Sequence, residues 1–209
     1  FNHFLNDNNN IYISSFINLK TWKILYKKYH YLQKFISLLE GYVLRFFLIF
    51  YLKKFDVVYV FMWVTPLGST LFERLVRALS IKLIYDFDDA VHLTKHVQNL
   101  SLLQRFVSLF RSKNKPNYLI KNADHVIVSS PFHVEYCKEK NKESSCTYIP
   151  CSLDASRFTP RKSRREDDTP VIGWTGTFSS KFYLDSLKKV FLELNKRCNF
   201  KLVIIGNFD

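Results

Sequence analysis

The sequence predicts an α/β protein: a Rossmann-like parallel-sheet domain followed by the opening of a second domain of the same kind. Two observations predict this. Along residues 55–150, short β-branched and aromatic runs alternate with helical patterning, the rhythm of βαβ units around a parallel sheet. The last forty residues then read strand, glycine turn, helix, strand, from Pro170-Val-Ile-Gly-Trp-Thr-Gly-Thr177 to Phe200-Lys-Leu-Val-Ile-Ile-Gly206. Hydrophobic residues make up 47% of the 209 residues and aromatics 17%, enough apolar surface for packed cores, so global disorder is excluded.

Residues 1–20 are rich in asparagine and carry one short apolar run, Ile11–Phe16, which supports no assignment. Helical patterning occupies residues 21–55. Its densest part, Tyr42–Leu52, is too short and too interrupted by Arg45 to span a bilayer, which takes roughly 20 apolar residues. The preferred reading is a crossover helix buried against a sheet; the alternative is an interfacial helix with Lys53 and Lys54 at lipid headgroups. Phe55-Asp-Val-Val-Tyr-Val-Phe61 reads as a strand buried on both faces. Pro66-Leu-Gly68 makes a turn, Leu71–Leu79 has helical spacing, and Ile81–Tyr85 is a second strand ending in Asp86-Phe-Asp-Asp89. A helical stretch near Leu100–Leu109 leads to a polar loop containing Pro116. His125–Ser129 is a strand, and Ser130-Pro131 is a helix start, with hydroxyl cap and proline in the first turn. That helix, 131–140, leads to the strand Thr147–Ile149. The domains are therefore expected at 1–160 and 171–209, with 161–170 as linker. The chain starts at Phe1 and stops just after a strand, so it reads as a fragment of a longer protein.

Thirty-one Lys and Arg against 18 Asp and Glu give a net charge of +13, which suits phosphorylated small molecules or an anionic membrane. The charge is scattered, and its densest run, Arg161–Arg165, is followed at once by Glu166-Asp-Asp168. No basic stripe interleaved with aromatics traces a nucleic-acid backbone, so specific nucleic-acid binding is not expected. Cys137, Cys146, Cys151 and Cys198 form no C-x-x-C pair, which argues against zinc and for free thiols in a reducing cytoplasm.

Two groups of residues can carry chemistry. Gly176, with Thr177, Ser179 and Lys181, opens a helix after a strand, where free N–H groups and the helix dipole favour an anion such as a diphosphate. Ser179 or Ser180 can cap that helix, whose apolar face is Tyr183, Leu187, Val190, Phe191 and Leu194. An ordinary capped βα turn would look much the same, since neither a P-loop nor G-x-G-x-x-G is present. The second group is Asp86, Asp88 and Asp89, at the carboxyl end of a predicted parallel strand, where open α/β sheets hold their ligands. Helix capping accounts for one such carboxylate, not three, so Asp88 or Asp89 is expected to orient or activate a hydroxyl. His92 lies near enough to share that pocket; His125 and His133 are weaker candidates.

Phe55-Asp-Val-Val-Tyr-Val, Lys82-Leu-Ile-Tyr-Asp-Phe-Asp-Asp-Ala90, Ala123-Asp-His-Val-Ile-Val, Tyr148-Ile-Pro-Cys-Ser-Leu-Asp154 with Phe158 and Pro160, and Val171-Ile-Gly-Trp-Thr-Gly-Thr177 occur in order. Over residues 55–209 the chain resembles a family 4 (group 1) glycosyltransferase of the GT-B type. The resemblance implies two Rossmann-like domains, the first for the acceptor and the second for a UDP- or GDP-linked sugar. It also implies transfer with retention, without a metal ion or other cofactor, to a glycan or lipid-linked acceptor of the cell envelope. Asp88 and Asp89 would then face the reacting groups. Cys151-Ser152 stand where the family often carries Asn-Gly, and the family's downstream pair of glutamates is not within the chain. Residues 1–209 alone are therefore expected to be inactive. The alternative is a non-catalytic module of the same fold that holds a nucleotide, a glycan or a partner subunit.

Overall fold

The computed structural model describes residues 10–25, 27, 29–90, 114–141, 145–158, 169–177 and 180–207. The chain divides into two compact units at Ser152–Leu153, short of the predicted linker. Both are α/β, and the first contains a four-stranded parallel sheet of Rossmann-like character.

In the first unit, helices α1 (Leu19–Ile24) and α2 (Tyr31–Ile49) precede strand β1 (Val58–Phe61). Then follow α3 (Leu71–Leu79), β2 (Leu83–Phe87), α4 (Asn114–Asn122), β3 (His125–Val128), α5 (Pro131–Lys140) and β4 (Ser145–Tyr148). The strands lie side by side in sequence order, all parallel. When each crossover has the same hand and the order never reverses, the crossover helices collect on one face. That face holds the core: Val60, Leu83, Tyr85, Phe87, Val126 and Val128 from the strands meet Val76 of α3, Leu119 and Ile120 of α4, and Cys137 of α5.

Three expectations are corrected here. Among the described residues strand β1 is an edge strand, buried on one face only: Val60 is in the core, whereas Tyr59 and Phe61 are each 55% exposed. Pro116 lies in helix α4 and not in a loop. It falls in the first turn, where the missing N–H had no intrahelical partner to lose. Finally, the stretch Tyr42–Leu52 meets the core only at its end, through Ile49 and Leu52, and most of α2 is not buried against the sheet. Ser37, Gly41 and Ile49 are its buried positions, while Leu39, Val43, Phe46 and Phe47 of the same helix are exposed. The Ser130-Pro131 helix start forms as expected, with the His133 N–H donating to Ser130 Oγ at 3.3 Å. The Leu100–Leu109 helix lies outside the described residues.

The second unit is one βαβ turn: β5 (Val171–Thr177), α6 (Lys181–Ser186), α7 (Lys188–Arg197) and β6 (Lys201–Asn207), with β5 and β6 parallel. The single predicted helix is two, broken at Leu187. Its inward face also differs: Leu184, Phe191 and Leu194 are partly covered, whereas Tyr183, Leu187 and Val190 are exposed.

Candidate functional site at the carboxyl edge

Alternation along β2 sends Leu83, Tyr85 and Phe87 into the core and leaves Ile84 and Asp86 on the opposite face. On that face the Tyr59 hydroxyl, from β1, donates a hydrogen bond to Asp86 Oδ2. Burial, the bond itself and the nearby carboxylate all raise the Tyr59 pKa, so the phenol stays a proton donor. Asp86 is thus tied to the sheet surface. Asp88 and Asp89 come just past the strand end and are exposed.

The end of β2 is joined to the end of β3 by Ser129, whose Oγ donates to the Asp88 carbonyl at 3.0 Å. One residue on, Ser130 caps α5 and so places His133 in the first turn of that helix. The His133 ring is buried, 5.2 Å from the Phe87 ring. Burial lowers its pKa, while the charges of Asp89 and Asp88 act in the opposite direction. A largely neutral imidazole therefore sits within the field of two solvent-facing carboxylates. By sequence alone His133 is only a weak candidate. Its signal was the Ser-Pro helix start at the carboxyl end of a predicted parallel strand, which aims the first helical turn at the ligand edge.

A third wall is the β1–α3 loop, Met62–Thr70. Met62 takes a left-handed conformation, φ 60°, with its N–H on the Asp86 carbonyl at 2.8 Å and its own carbonyl accepting from Tyr85 Oη at 3.0 Å. From α2, Arg45 Nε donates to the Val64 carbonyl at 3.2 Å and Tyr42 Oη to the Leu67 carbonyl at 2.7 Å. From α4, Lys115 Nζ donates to Thr65 Oγ1 (2.5 Å), Thr65 O (3.1 Å) and Leu67 O (2.7 Å). Its counter-ion is Glu73 Oε1 at 3.4 Å, and both side chains are almost wholly buried. Burial lowers the Lys115 pKa, opposed by Glu73. The loop is clamped from three elements, and nothing in the local sequence signalled it.

The other predicted residues are distributed as follows. His125 is on the open face of the sheet, bonded to Ser145 and, through Nε2 at 2.9 Å, to Thr147 Oγ1. It is not at the carboxyl edge. His92 and Ser179 lie outside the described residues. In the second unit Gly176 and Thr177 end β5 and Lys181 begins α6. A Cβ on Gly176 would come within 2.4 Å of Trp174 Cη2 and 2.6 Å of Ser180 Oγ, so any larger residue would displace those side chains. Ser180 does not cap the helix. Its hydroxyl accepts from the Thr177 N–H at 3.0 Å and donates back to the Thr177 carbonyl at 2.9 Å. Lys181 Nζ pairs with both Asp185 oxygens, at 2.9 and 2.7 Å. Among the described residues no group of three or more His, Cys, Asp or Glu is placed to hold a metal ion. Chemically, the carboxyl edge can accept hydrogen bonds from hydroxyls and exchange a proton at His133. No protein-family model matches the chain, and neither does any curated protein.

Proposed function

We propose that this chain belongs to a GT-B-type glycosyltransferase that moves a sugar from a UDP- or GDP-linked donor to a glycan or lipid-linked acceptor with retention. The observation that carries the reading is the carboxyl-edge group: Asp88 and Asp89 exposed beyond β2, with His133 buried beside them. In the proposed reaction these carboxylates accept a hydrogen bond from the acceptor's hydroxyl and so orient its oxygen. That oxygen bonds to the anomeric carbon as the bond to the diphosphate breaks. With configuration retained, the proton leaves to the departing diphosphate on the same face of the sugar. The donor diphosphate is assigned to the segment where β5 ends and α6 begins, at Gly176, Thr177 and Lys181.

An NMR titration with UDP- and GDP-hexoses tests the donor half. Amide shifts at Gly176, Thr177 and Lys181 are expected, and a simple acceptor sugar should shift Asp88, Asp89 and Ser129–His133. If neither set moves, the reading fails. One observation favours a second reading, a binding module without turnover: the Lys181 charge is already matched by Asp185 and the Thr177 N–H by Ser180. Nucleoside diphosphate release by the full gene product separates the two readings. Donor binding without release selects the module.

A further inference from the structure

Helix α2 carries its apolar residues outward. Apart from Ile49, which enters the core at the helix's end, the residues it buries or bonds to the protein are small or polar: Ser37 and Gly41 are buried, Tyr42 and Arg45 bond the β1–α3 loop, and Arg45 also holds Ser14. On the other side Leu32, Phe35, Leu39, Val43, Phe46 and Phe50 are each at least 50% exposed. Their spacing of three and four residues puts them on one line, a ridge about 27 Å long at 1.5 Å per residue. Ile36 and Phe47 widen it, and no polar side chain interrupts it. Scattered exposed apolar residues are normal on a soluble surface; a continuous ridge marks an interaction face.

The surrounding charge indicates the partner. Between Lys20 and Lys54 the chain has seven lysines and Arg45 against one acidic residue, Glu40. Lys53 and Lys54 are exposed one turn beyond the ridge, and Lys20 and Lys23 are exposed on α1, which packs against α2. Tyr29 and Tyr31 are exposed just before the ridge and Tyr51 just after it, and Trp22 is exposed on α1. Rings with one polar atom favour the boundary between hydrocarbon and water. A convex phenylalanine ridge without hydrogen-bonding groups needs no shape-matched partner if that partner is lipid. No helix among the described residues is long and apolar enough to cross a membrane.

We propose that α2 docks in the plane of an anionic lipid bilayer, with the Leu32–Phe50 ridge among the acyl chains and the lysines at headgroup phosphates. This goes beyond sugar transfer and stands or falls without it. The test is co-sedimentation of the purified protein with vesicles of phosphatidylcholine alone, or mixed with phosphatidylglycerol. The protein should pellet with the mixed vesicles and bind the neutral ones at least about tenfold more weakly, since each lysine near the surface contributes about 1 kcal/mol. Lys53→Glu with Lys54→Glu should lose about tenfold or more on mixed vesicles. Phe46→Ser with Phe50→Ser should lose binding to both. These four side chains are exposed, so the far-ultraviolet dichroism should be unchanged. Should the phenylalanine variant not fold, quenching of Trp22 fluorescence by brominated acyl chains, in a variant with Trp63→Phe and Trp174→Phe, reports the same insertion. The proposal is overturned if the wild type stays in the supernatant, if neutral and mixed vesicles bind it equally, or if the folded phenylalanine variant binds undiminished. It is equally overturned if the ridge proves to join two copies, seen as a dimer that the phenylalanine variant splits while vesicles bind neither form.

Discussion

Lys115 is a buried ammonium whose acceptors all belong to other elements: Thr65 and Leu67 of the β1–α3 loop and Glu73 of α3. Removing it strands Glu73, a carboxylate with no exposure to water, which is where single substitutions in buried ion pairs do most damage. Lys115→Met should cost about 3–5 kcal/mol, read from the urea midpoint, and adding Glu73→Leu should recover a large part of it. A Lys115→Met loss below about 1 kcal/mol would mean the ammonium is solvated and the clamp is not real. His133 gives a different signature. Burial lowers its folded pKa, so the unfolded chain, titrating near pH 6.5, takes up a proton the folded chain resists. The sign follows: its contribution is complete above about pH 6.5 and is lost as pH falls toward the lower folded value. Between about pH 7.5 and 5.5 the wild type should lose more stability than His133→Gln. Equal losses would place the imidazole in water.

At the scale of elements, Gly41 shows how tertiary contact overrides helix propensity. Alanine in a helix is ordinarily better than glycine by about 1 kcal/mol. Here a Cβ would sit 2.6 Å from the Phe16 carbonyl oxygen and 2.8 Å from its ring, because the segment before α1 crosses α2 at that point. Gly41→Ala should therefore lower stability by about 1–3 kcal/mol, measured as a fall in melting temperature, whereas Gly173→Ala, with nothing within 4 Å, should not. The same competition explains which elements could be read from sequence. The Ser130-Pro131 helix start and the strand His125–Val128 are encoded locally, by a cap and by β-branched residues, and both form. Helix α4 was obscured because Pro116 signals a break unless its place in the first turn is known. Strand β1 looks buried on both faces because its composition does not reveal its place at the sheet edge. The acidic cluster was legible, since the ends of parallel strands are predictable ligand positions. The clamp on the β1–α3 loop was not, because Tyr42, Arg45, Tyr85 and Lys115 converge on it only in three dimensions.

Across the whole molecule, the two units differ in how much they bury. Every fully buried described residue lies between Thr21 and Asn141, in the first unit. In the second, Val171, Val190, Leu192 and Ile205 are all more than half exposed. A two-stranded sheet with two short helices covers too little apolar surface to hold its backbone hydrogen bonds as firmly as the four-stranded unit does. Opening free energies should therefore split the chain: amides of Leu83–Phe87 should exchange at least about a hundredfold more slowly than those of Ile172–Trp174. Ligand binding then becomes visible as protection. A nucleotide sugar that binds only the folded second unit stabilises it by about 2.7 kcal/mol at one hundred times its Kd. At saturating UDP- or GDP-hexose, exchange in β5 and β6 should slow by up to about a hundredfold while β2 and β3 stay unchanged. Protection confined to the first unit would place the nucleotide at the acidic edge and not at the Gly176 turn, and would reverse the donor and acceptor roles assigned to the two units.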